Sequence, residues 1–66
     1  MQVKINGKPE EIRNGTVLDL LKAKNIEPHM VAVEINDMLV DRDHLATTQL
    51  NEGDHLEFLF YMGGGR

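Results

Sequence analysis

The sequence has 66 residues, of which 41% are hydrophobic and 27% charged, with a formal net charge of -4 and neither cysteine nor serine. A chain this short buries only about 60% of its unfolded surface, which favours one small domain with a binding or carrier role over a deep catalytic cleft. The missing residue types exclude disulfides, thiolate metal sites and serine or cysteine nucleophiles, and the negative charge disfavours nucleic acid and favours a partner with a basic surface.

Signals for a membrane or a bound cofactor are missing from the sequence as well. No apolar run approaches the ~20 residues that span a bilayer, and residues 1–6 lack the layout of a signal peptide. The chain has no G-x-x-x-x-G-K-[ST] phosphate loop, so we expect no nucleotide bound by this motif. We therefore expect a cytoplasmic protein that makes no membrane contact, holds no cofactor and is a monomer when free.

The first twelve residues predict a β-hairpin. Residues 2–5 alternate polar and apolar side chains, and Asn6-Gly7 supplies two residue types that tolerate a positive φ in a tight turn. Residues 8–12 form the returning strand, in which Pro9 lacks a backbone N–H. We expect this second strand at the edge of a sheet.

A helix is predicted after the hairpin. Thr16 stands at the N-cap position with Asp19 three residues later, which is a weak form of the capping box. Pro28 disfavours helical backbone before it, so the helix should end near Asn25. The apolar stripe of this helix comprises Val17, Leu18, Leu20, Leu21 and Ala23.

The second half of the chain predicts three more strands. They cover residues 30–35, the short segment 38–40 and residues 55–62, the last with Leu56, Phe58 and Phe60 on one face. Residues 41–48 form a polar connection with Leu45 as an apolar anchor, and Leu50 packs beside it. The element order predicts an α+β fold, a β-grasp (ubiquitin-like) roll with a mixed sheet of four to five strands and one main helix. A ferredoxin-like fold would need a second helix, for which residues 41–50 are too polar and short.

Several segments together carry a family resemblance. They are residues 3–7, 16–21, 31–36 and 50–57, followed by the glycines at 63–65, and their order and spacing are more specific than any one of them. Over nearly its whole length the chain resembles the ThiS family of thiamine-pathway sulfur carriers.

The resemblance implies a carrier that partner enzymes act on, and no enzyme activity of its own. An E1-like adenylyltransferase of the ThiF type would adenylate the terminal glycine carboxylate with ATP. Sulfur from a cysteine desulfurase would convert it to a thiocarboxylate, and a thiazole synthase of the ThiG type would receive the sulfur. Family members commonly end on glycine, whereas Arg66 follows Gly65 here. We therefore expect either that a peptidase removes Arg66 or that Arg66 is an addition to the natural chain.

The glycine tail is the predicted site of chemistry. We expect a β-grasp domain over residues 1–62 and a tail over residues 63–66, in which the acceptor is Gly65 after removal of Arg66, preceded by Gly64 and Gly63. Three extended residues without side chains reach about 10 Å into a narrow partner channel. The alternative is a frayed terminus without function.

A docking surface is predicted beside the tail. Leu59 and Tyr61 alternate away from the face of Leu56 and Phe58, and Met62 follows them, so these apolar side chains should meet a partner. A metal site is not predicted, because the histidines are irregularly spaced and the aspartates near position 40 lack the pattern of an EF-hand loop.

Two other functional classes stay open. A related carrier for molybdopterin synthesis, tRNA thiolation or conjugation to lysines would share the fold and the tail. A noncatalytic β-grasp interaction module would need no tail chemistry, so that deletion of residues 64–66 would leave its function unchanged.

Overall fold

The computed structural model describes residues 1–61, which form five strands, one α-helix and two short 3-10 turns. In chain order these strands and the helix are β1 (Gln2–Ile5), β2 (Lys8–Glu11), α1 (Val17–Ala23), β3 (Val31–Ile35), β4 (Met38–Val40) and β5 (His55–Phe60). The strands make one sheet in the order β2-β1-β5-β3-β4. Only β1 and β5 pair in parallel, and the other neighbours are antiparallel. The prediction of a β-grasp roll is confirmed.

Two tight turns close the hairpins of the sheet. Asn6 and Gly7 join β1 to β2 with φ values of 51° and 84°, and Asn36 and Asp37 join β3 to β4 with 50° and 71°. Positive φ at both central residues gives a backbone twist that matches the twist of the flanking strands. Pro9 lies in the edge strand β2, as its missing N–H predicts.

The helix begins at the predicted capping box. The Thr16 hydroxyl accepts from the Asp19 N–H at 3.2 Å, and the Asp19 carboxylate accepts from the Thr16 N–H at 2.9 Å. The helix ends at Ala23, slightly before the predicted end near Asn25, which adopts a left-handed φ of 59°. Its buried stripe is narrower than predicted, because Leu18 is half-buried and Ala23 is exposed.

One apolar core lies between the helix and one face of the sheet. Its buried members are Val3, Ile5, Val17, Leu20, Leu21, Val31, Val33, Leu45, Leu50, Leu56 and Phe58. Alternation along each strand sends these side chains to the helix side and their neighbours to the opposite side, which is called the open face below.

The polar connection between β4 and β5 completes the helix start. Leu45 and Leu50 are buried, which confirms the predicted anchors. Carbonyl oxygens of the connection accept from the first turn of α1: Thr48 from the Val17 N–H at 3.0 Å, and Leu45 from the Leu18 N–H at 2.9 Å. These carbonyls satisfy donors that have no partner within the helix itself.

The last strand is shorter than predicted within the described residues. β5 ends at Phe60, and Met62, the predicted end, lies outside the described residues. Phe60 shares a face with Phe58 but is 52% exposed, and it pairs with Val31 at the last register position of β3 and β5. The two rings meet edge to face, with 6.5 Å between their centroids.

Candidate functional site

The strand that leads to the glycine tail lies in the middle of the sheet. β5 pairs with β1 on one side and β3 on the other, and beyond it the Tyr61 N–H donates to the Met30 carbonyl at 3.1 Å. The predicted tail residues Gly63, Gly64, Gly65 and Arg66, and the predicted docking residue Met62, lie outside the described residues. The structure therefore defines the base from which the tail departs.

An asparagine side chain extends the pairing of β5 beyond the end of β1. The Asn6 N–H donates to the Leu56 carbonyl at 2.9 Å. The Asn6 side-chain oxygen accepts from the Phe58 N–H at 2.8 Å, and its amide nitrogen donates to the Phe58 carbonyl at 3.4 Å. The side chain acts as an additional backbone unit for β5. Sequence reasoning assigned Asn6 to the turn and missed this second role.

The beginning of β5 is held by a buried carboxylate. Asp54 is only 8% exposed, and its two oxygens accept from the Asn36 side-chain amide at 3.0 Å and from the Asn51 N–H at 2.8 Å. The Asn36 side-chain oxygen in turn accepts from the His55 N–H at 3.0 Å. The turn between β3 and β4 is thereby fastened to β5, so both halves of β5 are positioned by asparagine side chains.

Several apolar side chains are exposed on the open face. Leu59 and Tyr61 are 49% and 52% exposed, and Ala32 lies directly across from Leu59. Leu39, 62% exposed, stands on the same face in the edge strand β4, two strands away from Leu59. We call Ala32, Leu39, Leu59 and Tyr61 the open-face patch. Leu39 and Ala32 were missed by sequence reasoning, because their place beside Leu59 depends on strand pairing.

A cavity lies beside the helix, away from the open-face patch. It has a volume of about 690 Å³ and runs between the end of β2 and α1. Lys24 and Glu10 line it and form an ion pair with each other at 2.8 Å. A smaller cavity of about 130 Å³ lies beside Tyr61 and Leu39. Arg13 and Lys22 also line the larger cavity and form no ion pair among the described residues, so its charges are only partly paired.

Among residues 1–61, two carboxyl groups have a lowered pKa, and each shift has a local cause. The N-terminal ammonium donates to Glu11 at 3.0 Å and lowers the pKa of that carboxyl by its hydrogen bond and its charge. The backbone and side-chain hydrogen bonds of Thr16 lower the pKa of Asp19. Both groups belong to the fold's own contacts and lie outside the open-face patch.

Within residues 1–61 the structure contains no group of three histidine, cysteine, aspartate or glutamate side chains that could hold a metal ion. No helix in this part of the chain is long and apolar enough to cross a membrane. We take the base of the tail and the open-face patch as the candidate site, because β5 carries the exposed Leu59 and leads to the tail.

Comparison with known sequences connects these features to one family. A sequence model of the ThiS family matches residues 3–65. A thiazole synthase of Magnetococcus marinus is similar to the whole of this chain, with 36% identity. This chain spans only 21% of that protein. The sulfur carrier protein ThiS of Bacillus subtilis is 29% identical over 96% of this chain and 98% of its own.

A solved structure has the same fold. The crystal structure of the thiamine biosynthesis protein (ThiS) from Geobacter metallireducens superposes with a TM-score of 0.84 at 35% sequence identity. The superposition covers 98% of this chain and 100% of that one. The fold is thus shared along nearly the whole length of both proteins.

Proposed function

The chain belongs to the ThiS family, and on that premise we propose that it is a sulfur carrier of thiamine biosynthesis whose Gly65 bears the transferred sulfur. The observation that carries this proposal is the extent of the family match, which runs through residue 65 and so includes all three glycines of the tail. A β-grasp domain alone would support only an interaction role.

The proposed chemistry takes place on the carboxylate of Gly65, in a chain that ends on this residue because Arg66 has been removed or was never present. In the active site of an E1-like enzyme of the ThiF type, a carboxylate oxygen attacks the α-phosphorus of ATP and pyrophosphate leaves. Sulfur at the oxidation level of hydrosulfide, derived from a cysteine desulfurase, then attacks the acyl carbon and displaces AMP. The product is a thiocarboxylate, whose sulfur passes to a thiazole synthase of the ThiG type.

The residue types of the tail suit these steps. Glycine leaves the acyl carbon uncrowded for both the adenylate and the sulfur nucleophile, and it offers no side chain that would clash in a narrow channel. The base of the tail is fixed by β5, which has strand neighbours on both sides. Because β5 is fixed in the sheet, the glycine tail would hold its carboxylate at a defined distance from the docked domain. That distance is about 10 Å for three extended residues.

We also propose the open-face patch as the docking surface for the activating enzyme. Its exposed members Leu39, Leu59 and Tyr61 lie on the same face, and Tyr61 is the last described residue before the tail. Apolar and aromatic side chains at the centre of an interface contribute most of its binding energy. Docking here would bring the tail to the enzyme that modifies it.

One observation favours the thiamine-type carrier over a carrier for molybdopterin synthesis or tRNA thiolation. The thiazole synthase of M. marinus is similar to this chain over the chain's entire length, within a protein about five times as long. A carrier-like segment within a thiazole synthase fits sulfur delivery to thiazole formation.

The test uses the Arg66→stop variant, which ends on Gly65. It is incubated with a ThiF-type enzyme, ATP, a cysteine desulfurase, cysteine and a thiol reductant, and its intact mass is measured. We expect release of pyrophosphate and a mass gain equal to the replacement of oxygen by sulfur. The matched control, Gly65→stop, ends on Gly64 and should gain no sulfur. If the chain ending on Gly65 neither releases pyrophosphate nor gains sulfur, the proposed function is wrong.

A further inference from the structure

Two glutamates face each other across the centre of the open face. Glu34 in β3 pairs directly with Glu57 in β5, and both side chains point away from the core. Directly opposed residues of antiparallel strands have Cβ atoms only about 5 Å apart, where like charges destabilise the sheet. The sequence positions are far apart, so the pairing became visible only with the strand register.

Nothing within residues 1–61 neutralises this pair. Neither carboxylate forms an ion pair with a lysine, an arginine or a histidine of the described chain. The nearest cation by register, Lys4, lies opposite His55 and thus two positions before Glu57 along β5. The protein therefore maintains two adjacent negative charges on an exposed sheet at a cost to its own stability.

The pair adjoins the open-face patch on two sides. Leu39 lies directly across from Glu34 in β4, and Leu59 follows Glu57 by two residues along the same face of β5. A partner that covers the apolar side chains must therefore also cover the two carboxylates. Covering them without a counter-charge would cost several kcal/mol of desolvation.

We propose that Glu34 and Glu57 together receive an arginine or lysine side chain of the activating enzyme when that enzyme covers the open-face patch. This inference rests on the proposed function and deepens it by naming the partner group. A guanidinium carries five N–H donors in a planar fork and satisfies two neighbouring carboxylates at once. The net charge of -4 adds a general attraction for such a basic surface.

The test measures how the activating enzyme uses the carrier as a substrate. In chains that end on Gly65, Glu57→Gln and Glu34→Gln are compared with their parent by the rate of pyrophosphate release from ATP by a ThiF-type enzyme. Loss of a charged hydrogen-bond partner should raise KM for the carrier about tenfold or more, with kcat unchanged. The dependence of KM on salt concentration should also become weaker.

The matched control is Glu27→Gln, which removes the same charge from an exposed residue beside the end of the helix. Its KM should stay within about twofold of the parent value. If the parent is activated and both open-face variants keep the parent KM, this inference is overturned while the proposed function stands. If the parent itself is not activated, the proposed function fails and this inference fails with it.

A second measurement needs no enzyme. Because the two carboxylates repel each other, Glu57→Gln should stabilise the free protein and raise its urea midpoint by about 0.2 to 1 M. If Glu57 served only to stabilise the fold, its replacement would lower the urea midpoint instead. A fall in the midpoint would mean that Glu57 stabilises the sheet, and would overturn the proposed reason for the pair.

Discussion

Thr16 and Asp19 hold the start of α1 by exchanging hydrogen bonds. Each satisfies a backbone N–H that the helix leaves without an internal partner. The bond from the Thr16 N–H to the Asp19 carboxylate also keeps the pKa of Asp19 below its ordinary value. A contact made by two neighbouring side chains thereby links the stability of the helix to pH.

The folded state therefore prefers the ionised form of Asp19 more strongly than the unfolded chain does. Its contribution is present above the unfolded pKa and is lost as pH falls through the lower, folded pKa. We measure the free energy of unfolding by urea titration as the pH is lowered below the ordinary pKa of aspartate. We expect this free energy to fall less in Asp19→Asn than in the wild type. Asp43→Asn controls for the change in net charge. Equal acid dependence of Asp19→Asn and the wild type would contradict this prediction.

The sequence predicted those single residues whose partners are close along the chain. Thr16 with Asp19, the Asn6-Gly7 turn and the Leu45 anchor follow from local rules of capping, turn geometry and apolar spacing. It did not reveal that Asn6 reaches Phe58 or that Asn36 reaches Asp54. Those hydrogen bonds join residues 52 and 18 positions apart, and no local pattern encodes them.

At the scale of the elements, β5 depends on the Asn6 side chain for part of its attachment. β1 ends at Ile5, and the Asn6 side chain supplies the next donor and acceptor to Phe58. The Phe58 N–H would otherwise face the turn without this partner. The turn of the first hairpin is thus hydrogen-bonded to β5, the strand that leads to the tail.

We predict that Asn6→Gly destabilises the protein by about 1 to 2 kcal/mol and speeds amide hydrogen exchange at Phe58. Glycine tolerates the positive φ of this position, so the change reports the lost side-chain hydrogen bonds and little backbone strain. Asp37→Gly is the matched control, because Asp37 also has a positive φ but makes no side-chain hydrogen bond within residues 1–61. Unchanged exchange at Phe58 in Asn6→Gly would show that its side chain is dispensable.

The strands were predictable to different degrees for a physical reason. β1, β3 and β5 have one buried face, so their apolar alternation is visible in the sequence. The edge strands β2 and β4 have no fully buried residue, and their existence followed mainly from the turns beside them. The polar connection gave no sign that its carbonyls receive the first N–H groups of α1, because backbone acceptors do not depend on residue type.

At the scale of the whole molecule, the open-face patch and the strand that leads to the tail are parts of one proposed site. The helix covers the opposite face of the sheet, which leaves the open-face patch available to a partner. Alternation along β5 predicted Leu59 and Tyr61, whereas Ala32 and Leu39 required the strand order. The family resemblance supplied the chemistry of the tail, which composition and spacing alone left open.

Tyr61→Asp should weaken binding to a ThiF-type enzyme by about thirtyfold or more, because a charge would replace an aromatic contact at the centre of the proposed interface. Tyr61 is half exposed, so the circular dichroism spectrum and the urea midpoint should stay close to those of the wild type. Met38→Asp is the control, since Met38 is 70% exposed but pairs with Ile35 on the helix side of the sheet. Equal affinities of Tyr61→Asp and the wild type would remove the patch from the docking surface.

The parallel pairing of β1 with β5 has a mechanical consequence. Lys4 lies beside His55 and Ile5 beside Leu56, so the two strands run in the same direction and their outer ends point to opposite poles of the sheet. A pull on the tail against the N-terminus would slide β5 along β1 and strain their hydrogen bonds together, where an antiparallel pair would open one bond at a time. Unfolding by a force applied between these two ends would meet its strongest resistance at the first step and would be governed by the unfolding rate.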